Sequence, residues 1–157
     1  MHKFAKYGSL VLLGAGLFIS GAVAADMTVM HNQENAKAPF ASSVMVPAGY
    51  NMYFISGSTG QGADTAAQTA ATLASLKAQL AKQGLNFADV VQAHVFLVGD
   101  PAKGGKMDFA GMNSSWFKEF GTAEQPNKPA RAAFQVAALA GSSDLVEIEF
   151  IAVKKAN

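Results

Sequence analysis

The ten residues Asn127–Val136, NKPARAAFQV, set the reading of this chain. They hold Arg131, the one arginine of a 157-residue protein in which lysine and arginine together number twelve. A guanidinium presents a rigid planar fork of donors that matches a carboxylate at two points, which an ammonium cannot do. Pro129 closes a turn, since its fixed φ and missing N–H suit a chain leaving a loop for a strand. The run Arg131 to Ala138 that follows reads as a buried strand. A structural salt bridge is the ordinary use of such an arginine; a ligand clamp is the sharper reading.

Downstream, Gly141-Ser142-Ser143-Asp144 is a turn, and Leu145 to Val153 is a second strand. Leu145, Glu147, Glu149, Ile151 and Val153 point one way; Val146, Ile148, Phe150 and Ala152 point the other. Two carboxylates on one face of an otherwise apolar strand call for solvent, a subunit interface or a site.

Upstream, Asp108 caps a helix running to about Phe120, with Phe109, Met112, Trp116 and Phe120 on one face. Trp116 reads as a packing residue. Val90 to Val98, VVQAHVFLV, is a buried strand, and His94 within it reads as a hydrogen-bonded strand residue. Asp64 is the N-cap of a helix from Thr65 to Gln83 that ends at Gly84. Its Ala66, Thr69, Leu73, Leu76 and Leu80 form one apolar stripe. Pro39 to Val46 and Tyr50 to Ser56 are short strands separated by Pro47-Ala48-Gly49; the second, apolar on both faces, suits a strand covered on both sides. The loop GSTGQG at 57–62 lacks the lysine and spacing of a phosphate-binding loop.

At the N-terminus, Lys3 and Lys6 precede an uncharged apolar run, residues 8–21, and then Ala22-Val23-Ala24. That is the layout of an export signal with cleavage after Ala24; a retained anchor is the alternative. The run is shorter than the ~20 residues a membrane-spanning helix needs. The expected organisation is therefore a signal peptide over 1–24, an N-terminal arm over 25–37 and a single domain over 38–155. The expected location is periplasmic or secreted, with no membrane association after cleavage. Cleavage leaves ten basic and eleven acidic side chains, a net charge of −1, which gives little affinity for nucleic acid. Cysteine is absent, which excludes thiol chemistry and disulfides. Met27, Met30 and His31 are too few and too poorly spaced for a soft-metal site, and no metal is expected.

The element order ββαβαββ predicts an α+β domain, one mainly antiparallel sheet with two helices packed on one face. The opposite sheet face is apolar enough to predict oligomerisation.

Several segments in this order resemble the RidA/YjgF family of reactive-intermediate deaminases, also called endoribonuclease L-PSP-like. They are Ser56-Gly57 after the second strand, Ala66-Ala67-Gln68-Thr69, Phe109-Ala110-Gly111-Met112-Asn113, Pro129-Ala130-Arg131 and Val146-Glu147-Ile148-Glu149-Phe150-Ile151-Ala152-Val153. The resemblance implies a homotrimer of chorismate-mutase-like subunits with sites in the clefts between them. It implies that Arg131 binds a substrate carboxylate and that Glu147 holds or activates water. Asn113 would lie near the site, with Ser56, Gly57 and Phe40 lining it. The implied reaction is hydrolysis of 2-imino or 2-enamino acids to 2-keto acids and ammonium, without cofactor or metal. A non-catalytic periplasmic binder of small carboxylates is the alternative. Two positions depart from the family's pattern: Phe40 stands where a tyrosine is common, and Ala133 where a cysteine or small hydroxyl residue is common.

Overall fold

A computed structural model describes residues 27–156. The expected signal peptide over 1–24 lies outside the described residues. The elements are β1 (Met30–Asn32), β2 (Ser43–Met45), β3 (Tyr50–Thr59), α1 (Thr65–Lys82), β4 (Val90–Val98), α2 (Phe109–Trp116), β5 (Ala130–Val136) and β6 (Val146–Lys155). Short 3₁₀ turns at Phe87–Asp89 and Pro101–Lys103 bracket β4. No helix among the described residues is long and apolar enough to cross a membrane.

The four long strands form one sheet in the order β3-β6-β4-β5. The β3–β6 and β6–β4 pairs are antiparallel, and β4–β5 is parallel. The domain is α+β with a mainly antiparallel, mixed sheet. The parallel pair follows from connectivity: the chain leaves the end of β4, passes through α2, and must return to the start of β5.

Alternation along β4 and β6 assigns the faces. Ala93, Val95 and Leu97, with Val146, Ile148 and Phe150, point into a core closed by Leu73, Leu76 and Leu80 of α1 and by Met112 and Trp116 of α2. Trp116 stacks on Phe120 with centroids 4.4 Å apart, and both meet Phe150 edge-on. Both helices thus cover one face of the sheet. Asp64 caps α1 by accepting from the Ala67 N–H at 2.8 Å, and the helix ends where Gly84 takes a left-handed φ of 67°.

Three expectations need correction. The first expected strand, Pro39–Val46, does not join the main sheet. Only Ser43–Met45 is extended, and it pairs antiparallel with β1 as a separate two-stranded ribbon. β1 itself falls within the stretch expected to be an arm; three residues are too short to show a period-two pattern. The second expected strand is not covered on both sides. β3 is a sheet edge with an open face, on which Phe54 is 74% exposed. Finally, α2 stops at Trp116 rather than near Phe120. From Ser115 on, the chain tightens into turns, with the Lys118 and Glu119 N–H groups reaching back only three residues.

The loop that joins β1 to β2 is tied to the entry of β5. The Ala41 N–H donates to the Pro129 carbonyl at 2.9 Å. Lys128, only 5% exposed, gathers three further bonds: Nζ donates to the Ala36 carbonyl, its N–H donates to Gln33 Oε1, and its carbonyl meets His31 Nδ1. That knot places Phe40 beside Arg131.

Candidate functional site

Arg131 is the second residue of β5, opposite Ala93 in the sheet register. It therefore points to the helix-covered face, where α2 stands over the sheet edge. Its Nη2 donates to Asn113 Oδ1 at 2.8 Å, and its Nη1 approaches Met112 Sδ at 3.6 Å. Three rings surround the guanidinium carbon: Trp116 at 4.6 Å, Phe40 at 5.6 Å and Phe109 at 5.7 Å. Aromatic faces carry negative charge density and attract a cation in this range. They do not neutralise it, and no carboxylate among the described residues pairs with Arg131. The expected alternative of a structural salt bridge is not what the fold makes. Burial lowers the guanidinium pKa from its ordinary value to about 10, because water that would solvate the charge is excluded.

Asn113 is oriented by this contact. With its Oδ1 accepting from Arg131, its amide N–H₂ is left to donate beside the guanidinium. Trp116, buried under the cluster, donates its indole N–H to the Pro39 carbonyl at 2.7 Å and so fixes the residue preceding Phe40. Sequence reasoning took Met112 and Trp116 for packing residues and missed that they are also the floor beneath Arg131. The available signal was their place one residue before and three after Asn113, on a single short helix.

The remaining expected site residues form a second group. β3 carries a bulge between Ile55 and Ser58, so Ser56 and Gly57 together face one residue of β6. A Cβ on Gly57 would collide with the Glu147 carboxylate, so this glycine is required by close approach rather than by a left-handed φ. Glu147 lies in a row with Thr59, Phe96 and Phe134, on the open face of the sheet. It has no ionic partner among the described residues. Glu149, two residues on, differs: it meets His94 Nδ1 at 2.8 Å, and His94 Nε2 meets Gln92 at 2.9 Å. The two carboxylates of β6 are thereby told apart, one bonded within the sheet and one left unpaired.

Within one chain the two groups do not meet. The rows of Arg131 and Glu147 lie three residues apart along the strands, about 10 Å. The side chains also leave opposite faces of the sheet. The fold brings Arg131, Asn113 and Phe40 together, sets Glu147 on Gly57 beside Ser56, and keeps the groups apart.

The family model described as Endoribonuclease L-PSP matches residues 30–154. A RutC family protein of Haemophilus influenzae is 39% identical over 93 residues, which span 59% of this chain and 66% of that protein. Protein DfrA of Myxococcus xanthus is 37% identical over 135 residues, covering 79% of this chain and 93% of that one. Among solved structures, the Rid-family protein YyfB of Yersinia pestis superposes with a TM-score of 0.61 at 27% identity, over 74% of this chain and 87% of its own. Escherichia coli TdcF, solved with bound serine, gives 0.58 at 29% identity, over 77% and 96%. The match begins at β1 and runs to the end of β6, through both groups of site residues, and so the chain belongs to the RidA/YjgF, or endoribonuclease L-PSP, family.

Proposed function

We propose that the protein hydrolyses 2-imino and 2-enamino acids to 2-keto acids and ammonium, acting as an exported homotrimer. The observation that carries this reading is a half-buried guanidinium with no counter-ion among the described residues, flanked by a free amide donor. A charge kept in such surroundings is costly to the empty protein and is offset when a ligand carboxylate arrives. The bound serine of TdcF, a carboxylate-bearing molecule on a similar fold, supports the same ligand class.

In this reading Arg131 and Asn113 hold the substrate carboxylate, which fixes the adjacent imine carbon in space. Glu147 of a neighbouring subunit faces that carbon and accepts a proton from the attacking water. Water adds to the C=N carbon, the nitrogen takes up the proton, the C–N bond breaks, and ammonia leaves as the keto group forms. Trimerisation through the open sheet face supplies the geometry, since one chain alone keeps Glu147 on the wrong side of its own sheet. Export rests on the leader-like residues 1–24. Cell fractionation with N-terminal sequencing tests it, and a mature chain starting at Ala25 is the expected result.

A second reading, a periplasmic carboxylate binder without turnover, is favoured by Phe40, which leaves the cleft without a phenolic hydroxyl. One experiment separates the two. Ammonium release is followed from a 2-imino acid generated in situ, beside calorimetry with the corresponding 2-keto acid. Turnover abolished by Arg131→Ala supports the enzyme; keto-acid binding without any ammonium release supports the binder. An intact trimer that does neither overturns both.

A further inference from the structure

The polar side of the Arg131 cluster is small and spoken for. Asn113 Oδ1 and Met112 Sδ are both occupied by the guanidinium, which leaves donors that suit a carboxylate. The guanidinium's other partners are three aromatic rings. Trp116 is the buried floor, but Phe40 and Phe109 remain 37% and 40% exposed. They come from different segments, the loop between β1 and β2 and the start of α2, so they wall the charge from two sides rather than stacking as one element. Exposed phenyl rings beside a carboxylate clamp favour a ligand that brings its own apolar group, since contact with it removes apolar surface from water.

The Glu147 half carries the same chemistry independently. The row that holds Glu147 continues into Phe96 and Phe134, which meet edge-to-face with centroids 5.1 Å apart. Phe134 stays 43% exposed on the open face. Whatever lies between an Arg131 and a neighbour's Glu147 therefore has rings on both walls. Edge-to-face and offset contacts favour another ring over a methyl or a hydroxymethyl group.

From this we propose that the site is selective for ligands that join a carboxylate to an aromatic side chain, the arylpyruvate type of 2-keto acid and its 2-imino precursor. Phe40 and Phe109 are the residues that set this selectivity. The inference rests on Arg131 as the carboxylate clamp and adds the identity of the side chain. The reaction feeding such a site is one that passes two electrons from an aromatic amino acid to a redox cofactor such as a flavin, leaving the 2-imino acid, or that removes water from a β-hydroxy aromatic amino acid, leaving the 2-enamino acid.

The test uses the full-length, processed protein and two stable ligands, phenylpyruvate and pyruvate, measured by calorimetry. Phenyl-bearing and methyl-bearing 2-imino acids are compared for turnover alongside. Phenylpyruvate is expected to bind roughly ten-fold or more tightly than pyruvate, the scale on which apolar pockets discriminate small differences in size. Phe40→Ala and Phe109→Ala should each move that ratio toward one, through a larger loss of affinity for phenylpyruvate than for pyruvate. Phe40→Tyr and Phe109→Leu, which keep bulk, guard against loss of fold and should retain most of the ratio. Equal affinity for the two ligands, or variants that weaken both ligands alike, overturns the selectivity and leaves the clamp standing. If neither ligand binds wild type, the clamp itself fails, and the selectivity with it.

Discussion

Arg131 holds its proton less tightly in the fold, with a pKa of about 10, than in an unfolded chain, where it stays charged to higher pH. The group therefore lowers stability at all pH values below about 10, and the loss is recovered as pH rises from there toward the guanidinium's ordinary range. Replacing it with an apolar side chain of similar length removes a charge that no carboxylate among the described residues neutralises. Arg131→Met is expected to leave the melting temperature at neutral pH unchanged or a few degrees higher, while abolishing the upward shift that a saturating keto acid gives wild type. A drop of more than about 5 °C in scanning calorimetry would instead make Arg131 a structural residue. Carboxylate affinity should be flat through neutral pH and decline only above about 10, where the guanidinium loses its proton. At Gly57 the constraint is steric. Gly57→Ala drives a methyl into the Glu147 carboxylate, with Cδ and Cγ also within 3.1 Å of it. The expected cost is about 1–2 kcal/mol in chemical denaturation. Turnover should fall at least roughly ten-fold through kcat, since Glu147 is displaced while the clamp is untouched.

Among the elements, the segment from the end of β1 to Ala41 decides whether Phe40 stands beside Arg131. It has little regular structure of its own and is held by Lys128, by the Trp116 indole bond to Pro39 and by the Ala41–Pro129 bond. Lys128→Met keeps the buried stem but loses the bond from Nζ to the Ala36 carbonyl, leaving that acceptor short of a partner. Faster amide exchange over residues 30–42 is expected, with α1 unchanged, together with a stability loss of about 1–2 kcal/mol. Unaltered exchange in that segment would show that the other ties suffice. The elements also differ in how openly the chain declares them. α1, β4 and β6 carry strong periodic patterns, a cap at Asp64 and a stop at Gly84, and they stand where those signals put them. β1 and β2 are three residues each, and α2 loses its last turn to local tightening. Elements that short are selected by their partners, Lys128 and the β5 entry, rather than by their own composition.

For the whole molecule, the open face of the sheet governs. Phe54, Met52 and Phe134 are exposed there, and the unpaired Glu147 shares the face. Burying it against two other copies would remove those side chains from water and carry Glu147 to a neighbour's Arg131. Phe54→Lys is expected to yield monomers by analytical ultracentrifugation, with turnover lost although Arg131 and Glu147 are intact. Mixing tests the shared site directly. Arg131→Ala and Glu147→Ala are each expected to be inactive alone, but co-assembled at equal amounts they should restore activity at about a quarter of the sites by random assortment. No recovery in verified mixed trimers would place both residues in one chain's site, or make one of them dispensable.

Composition and spacing were enough to establish the α+β order, the helix α1 with both its ends, the inward and outward faces of β6, and Arg131 as the residue to explain. All of these are local: period, capping and turn chemistry act within a few residues, and a rare residue type is visible without a fold. Tertiary structure alone decided that Arg131 has aromatic rings and Asn113 for neighbours and no carboxylate, and that Glu149 is bonded to His94 while Glu147 is not. It alone decided that the two halves of the candidate site leave opposite faces of the sheet. Those facts depend on strand order and register, on which residues β4 sets opposite β5 and β6. Strand order brings together residues tens of positions apart, and no local pattern encodes it.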